Sequence, residues 1–96
     1  MPKRVDANQA EIVQALRGIG ATVQHLHMVG KGCPDIMCGY RGHVWLYEIK
    51  TKSGKLTDDE KRWHDEWRGR VFVIRNAQQA IDMMTGYEHP DQVPPF

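Results

Sequence analysis

The stretch Ile36-Met37-Cys38-Gly39-Tyr40-Arg41-Gly42-His43-Val44-Trp45-Leu46-Tyr47 constrains this chain more than any other. Two apolar arms meet at Arg41-Gly42, the pattern of strand, tight turn and strand. With Arg41 and Gly42 as the two turn residues, Tyr40 pairs with His43, and counting outward puts Asp35 directly opposite Glu48. Opposed side chains share a face, with Cβ atoms about 5 Å apart. Lys50 lies two residues beyond Glu48 and points to the same side. Two carboxylates and an ammonium therefore converge on one patch of an otherwise apolar sheet.

Two acids so placed cost stability unless something positive stands between them. A cross-strand salt bridge among Asp35, Glu48 and Lys50 is one way to satisfy them. A hard divalent cation, Mg²⁺ or Mn²⁺, is the other: such ions take one or two carboxylates and complete their shell with water and substrate phosphate. The backbone carbonyl of Ile49, between the two, is a candidate third oxygen. The metal reading points to phosphodiester hydrolysis, because a bound cation lowers the pKa of its water and polarises the phosphate. Lys50 would then orient or deprotonate the attacking water, or stabilise the pentacovalent phosphate.

Composition limits the alternatives. Ninety-six residues make a single domain, 1–96, with a modest core. No apolar run approaches the roughly 20 residues that cross a bilayer, so no membrane association is expected. The start, Met1-Pro2-Lys3-Arg4-Val5-Asp6, has no apolar stretch behind its charges and does not read as a signal peptide. The expected localisation is cytoplasmic. Cys33 and Cys38 fit that compartment as reduced thiols, with Cys38 buried in its strand. Net charge is only +1, but its distribution is uneven. Lys31, Arg41, Lys50, Lys52 and Lys55 cluster in the segment that holds only Asp35 and Glu48 as acids, whereas 76–96 has no Lys or Arg. Such asymmetry suits one phosphate-facing surface and equally a solvated face.

Ala7 to Arg17 reads as an amphipathic helix with Asp6 as N-cap and Ile12, Val13 and Leu16 as its stripe. Ala21 to Val29 reads as a strand, and Gly30 to Pro34 as a loop. Thr57-Asp58-Asp59-Glu60 is a capping box opening a helix through Trp67. Val71 to Ile74 is a buried strand. Asn76-Ala77-Gln78-Gln79 opens a last helix that ends at Gly86. The order α-β-β-β-α-β-α predicts an α/β fold, a small mixed β-sheet flanked by helices, with a core of about 7–85 and a Pro-containing tail, 86–96. His25 and His27 alternate on one face of a strand and read as strand positions, since no third metal ligand is spaced to help. Trp63 and Trp67, four apart on a helix, read as core or dimer-interface packing ahead of base stacking.

Gly32-Cys33-Pro34-Asp35 followed by Glu48-Ile49-Lys50 resembles the PD-(D/E)XK nuclease core. The leading helix with Glu11, and Lys50-Thr51-Lys52-Ser53-Gly54-Lys55-Leu56-Thr57 running into a helix, look like its VRR-NUC branch, the virus-type replication-repair nucleases. The similarity spans Ala7 to Ile81. It implies a restriction-endonuclease-like core and Mg²⁺- or Mn²⁺-dependent cleavage of DNA at branched or flapped structures. Members of this size resemble dimeric Holliday-junction resolvases. By the resemblance Asp35 and Glu48 match the metal-binding acids, Lys50 the catalytic lysine, and Glu11 the acid on the first helix beside the metal. Lys31, Lys52, Ser53 and Lys55 become candidate DNA contacts. A phage-encoded role in DNA repair or replication would suit such a family. One position departs: relatives commonly carry Gln three residues past the Ser/Thr, where this chain has Glu60.

Overall fold

The apolar stripe on the first helix finds its partner in alternate residues of a four-stranded sheet. The computed structural model describes residues 7–86, as α1 (Ala7–Gly18), β1 (Thr22–His25), β2 (Ile36–Tyr40), β3 (His43–Ile49), α2 (Asp58–Glu66), β4 (Phe72–Ile74) and α3 (Ala77–Gly86). The element order is the expected one. Asp6 and the segment 87–96 fall outside the described residues. The sheet runs β1-β2-β3-β4, antiparallel except for the parallel β3–β4 pair that α2 connects.

The hairpin register is the one expected, from Tyr40↔His43 to Ile36↔Tyr47. Arg41 (φ 48°) and Gly42 (φ 84°) both adopt positive φ, as a tight two-residue hairpin requires. The Arg41 guanidinium lies over the Tyr40 ring, 5.3 Å from its centroid. One face of the sheet presents Ile36, Cys38, Trp45, Tyr47, Ile49 and Ile74, which pack with Ile12, Val13 and Leu16 of α1 and Ala80 and Met84 of α3 into one core. The Tyr47 hydroxyl donates to the Ala80 carbonyl at 2.9 Å, tying β3 to α3.

Period-two alternation sends Met37, Val44, Leu46 and Glu48 to the other face. There α2 reaches Glu48 through His64 and Lys50 through Glu60, and none of its residues is buried. Met37 and Val44 remain exposed. Both capping motifs form: Thr57 with Glu60 opens α2, while Asn76 Oδ1 accepts the Gln79 N–H and Gln79 Oε1 accepts the Arg75 N–H, each at 2.7 Å.

β1 is shorter than expected, ending at His25 rather than Val29. Its partner ladder stops at Ile36, because Pro34 has no N–H to continue it. Leu26 instead donates to the Asp35 carbonyl at 2.9 Å and the chain turns away, leaving Met28 and Val29 exposed. Trp67 caps α2 in an extended conformation rather than extending it. No helix among the described residues is long and apolar enough to cross a membrane.

Candidate active site

Asp35, Glu48 and Lys50 meet at one end of the sheet, in a cleft of about 450 Å³ closed on its other side by the first turn of α2. The ladder does not carry Asp35 into strict opposition with Glu48. The Asp35 N–H donates to the Tyr47 carbonyl at 3.1 Å, one residue short of Glu48. That offset lets Asp35 Oδ2 accept the Ile49 N–H at 2.7 Å, so backbone bonds hold the carboxylate in place. Glu48 follows from strand alternation within the fully buried run Trp45–Ile49.

Glu48 is the electrostatic centre of the cleft. It is 1% exposed, and its Oε1 has no hydrogen-bond partner. Burial, and then the neighbouring Asp35 carboxyl and Glu60, push its pKa up to about 9 against the pull of Lys50. The nearest nitrogens do not satisfy it: Lys50 Nζ stands 4.0 Å from Oε2, and His64 Nε2, itself without a hydrogen-bond partner, stands 3.9 Å from Oε1.

Lys50 is held more firmly by Glu60, at 2.7 Å from Nζ to Oε1. The same oxygen accepts the Thr57 N–H at 2.8 Å, so the capping box aims the carboxylate that holds the lysine. Burial alone would raise the Glu60 carboxyl, but Lys50 and the Thr57 bonds outweigh it and hold it below the usual range. Gly32 (φ 84°) makes the cleft narrow: a Cβ there would overlap the Asp59 carbonyl oxygen. Cys33 also lines the cleft, its thiol pushed up by burial and then by Glu48 and Asp35.

The other residues singled out in the sequence divide. Lys31 and Ile49 line the cleft. Lys52, Ser53 and Lys55 are exposed on the β3–α2 loop and do not. That loop is pinned by Arg75, whose Nη1 donates to the carbonyls of Thr51 and Gly54 at 2.7 Å each. Glu11 is exposed on α1 and is not among the residues that line the cleft. The stripe of Ile12, Val13 and Leu16 fixes the rotation of α1, and Gln9, three, four and seven residues before them, shares that face. Gln9 lines the cleft and its Nε2 lies 3.3 Å from His25 Nδ1. Asn8 donates to the carbonyls of Lys50 and Arg75, tying α1 to the ends of β3 and β4.

Three residues near the cleft had no functional role in the sequence reading, His27 having been read as a strand position. His27 lines the cleft because β1 ends before it. His64 reaches Glu48; its spacing, four residues after Glu60 on one helix, was a readable signal of a shared face. Gln9 carried the same kind of signal on α1.

Among the described residues, no three or more His, Cys, Asp or Glu side chains are arranged to hold a metal ion. Two carboxylates do suit Mg²⁺ or Mn²⁺, which keep water and phosphate ligands. The fit rests on Glu48: a buried carboxylate with an orphaned oxygen beside a second carboxylate is the surroundings a divalent cation would stabilise.

No family model and no curated protein sequence matches this chain. A solved structure described as "VRR_NUC domain" is similar to it, with a TM-score of 0.67 and 25% sequence identity, over 82% of this chain and 91% of that one.

Proposed function

We propose that this chain is a metal-dependent nuclease of the PD-(D/E)XK type, proceeding from the support that its likeness to a VRR_NUC domain lends to assignment in the VRR-NUC family. The observation that carries the reading is the buried, unsatisfied Glu48 carboxylate packed against Asp35, with Lys50 at the cleft mouth. Asp35 and Glu48, with the Ile49 carbonyl, would hold Mg²⁺ or Mn²⁺. Bound there, the cation would supply Lewis-acid polarisation of the phosphate and a water of lowered pKa.

The chain's own groups do the rest. Asp35 is locked by the Ile49 N–H, which presents one carboxylate edge to the cleft at no reorganisation cost. Lys50 offers its ammonium to the charge that develops on the phosphoryl oxygens, and Glu60 fixes its direction. Lys31 at the rim pairs with a flanking phosphate, as do Lys52 and Lys55 on the pinned loop. Glu11, turned to solvent, is left out of the reaction centre.

The substrate is branched DNA, such as a four-way junction or flap, cut by a homodimer. A two-fold assembly supplies the two cuts that a symmetric junction needs. The open sheet face with Met37 (38% exposed) and Val44 (69%) offers apolar area for the partner copy.

The test is cleavage of labelled four-way junction, flap and linear duplex with Mg²⁺ or Mn²⁺, comparing wild type and Lys50→Ala. Metal-dependent cleavage of branched DNA is expected, with Lys50→Ala still binding but at least 100-fold slower, the loss typical of one charge-stabilising donor. Wild-type protein that binds DNA and cuts none of the three would overturn the reading in favour of a non-catalytic binding module.

A further inference from the structure

Near the far end of α2 from the cleft, two indoles stand stacked, with centroids 4.7 Å apart and planes 20° from parallel. They are not core: α2 buries no residue, and Trp67 is 43% exposed. The Trp67 ring lies against Gly69, where a Cβ would meet its Nε1 at 2.8 Å, so the glycine gives the ring room to lie over the chain. We propose that the Trp63–Trp67 pair is a stacking platform for an unpaired base of the DNA substrate, a single-strand subsite continuous with the cleft. The inference rests on the nuclease reading for its substrate and adds what recognises the branch.

Position is the first argument. Glu60, which holds Lys50, is followed by Trp63 and Trp67 at three and seven residues, so all three lie along one side of the helix. Seven residues rise about 10 Å along the axis.

Charge is the second argument. The exposed indole is followed in sequence by two exposed arginines, Arg68 and Arg70. Arg62, Asp65 and Glu66 of α2 are also exposed, and helical spacing sets all three off the Glu60–Trp67 line. Aromatic faces flanked by cations match a single strand, whose bases stack while its phosphates pair with the cations. An intact duplex keeps its bases stacked on one another; flaps and junction branch points release one. The platform would thus convert unpaired character into affinity beside the scissile phosphate.

The experiment is anisotropy binding in EDTA, where nothing is cut, with a fluorescein-labelled thymidine oligomer, a single-strand-tailed duplex and a blunt duplex, at one fixed salt concentration. Wild type, Trp67→Ala and Trp67→Phe are compared, with tryptophan emission recorded alongside. Wild type should bind tailed DNA more tightly than blunt DNA and lose tryptophan emission on doing so. Trp67→Ala should weaken tailed binding by roughly 5- to 150-fold, the range for one stacked base, leave blunt binding unchanged, and be largely rescued by Trp67→Phe. An equal loss on both DNAs, or no loss, would overturn the platform. So would a Trp67→Ala protein that sediments as monomer where wild type is a dimer, since the pair would then be a protein interface. Should wild type prefer tailed DNA yet cleave nothing once metal is restored, the platform stands and the nuclease reading falls.

Discussion

Replacing Glu48 by Gln isolates the charge that the cleft buries. Glu48 is 1% exposed, and burial with Asp35 raises its pKa from 4.5 to about 9. A carboxyl whose folded pKa is raised contributes its full stability below the pKa of the unfolded chain and loses it as pH climbs toward the folded value. Between pH 5 and pH 7 the unfolded chain has released the proton while the metal-free folded protein still holds it. At 1.36 kcal/mol per pH unit that costs about 3 kcal/mol, a large share of the ~5–15 kcal/mol that a domain has in all. Gln keeps the shape and carries no charge, so the difference between wild type and variant should change by about that amount across the window. Glu60, whose pKa is lowered, acts in the opposite sense, its contribution being lost only as pH falls, which is why the window starts at pH 5. The assay is urea unfolding followed by circular dichroism in EDTA at pH 5 and pH 7. Mn²⁺ at about 100 times its dissociation constant should then return about 2.7 kcal/mol to wild type at pH 7 and much less to Glu48→Gln. Parallel pH profiles for the two proteins, or equal gains from Mn²⁺, would refute the claim that Glu48 is a buried, cation-seeking carboxylate.

Gly32→Ala should be among the most damaging single-methyl changes in the chain, because Gly32 has positive φ and the new Cβ meets the backbone of Asp59, which cannot swing aside. We expect a loss of about 2 kcal/mol or more in thermal unfolding and a drop in cleavage, since the loop carrying Asp35 would be forced away from α2; unchanged melting would show that the loop gives freely. Arg75→Ala should cost about 1–2 kcal/mol, because partly exposed charged hydrogen bonds to two carbonyls are lost. Hydrogen exchange should quicken over residues 51–55, and DNA affinity should fall as Lys52 and Lys55 lose their fixed loop; exchange unchanged in that segment would count against the pinning role.

The parts of this molecule that were legible in its sequence are those decided by near neighbours. Arg41-Gly42 set the hairpin and its register, because turn chemistry and alternation act over a few residues. Thr57 and Asn76 announced their helices for the same reason. A charged residue inside the apolar run Val44–Ile49 marked Glu48 before any tertiary contact was known. What escaped was set by elements meeting at a distance. The end of β1 depended on Pro34 withholding a donor from a partner strand, which moved His27 from a strand face into the cleft. The contribution of α1 depended on its rotation, which the core stripe decides: the same periodicity that identified the helix turns Gln9 inward and Glu11 outward. Glu60 was readable as a cap but not as the partner of Lys50, because that contact needs the β3–α2 loop, held by Arg75, to fold the helix back across the sheet. A cap residue is aimed by its own helix, so a carboxylate in that role reaches a distant lysine already oriented. A Gln at this position could make the same cap bond without the charge, so Glu60 ties the direction of the Lys50 ammonium to the integrity of the α2 N-terminus more tightly than an amide would.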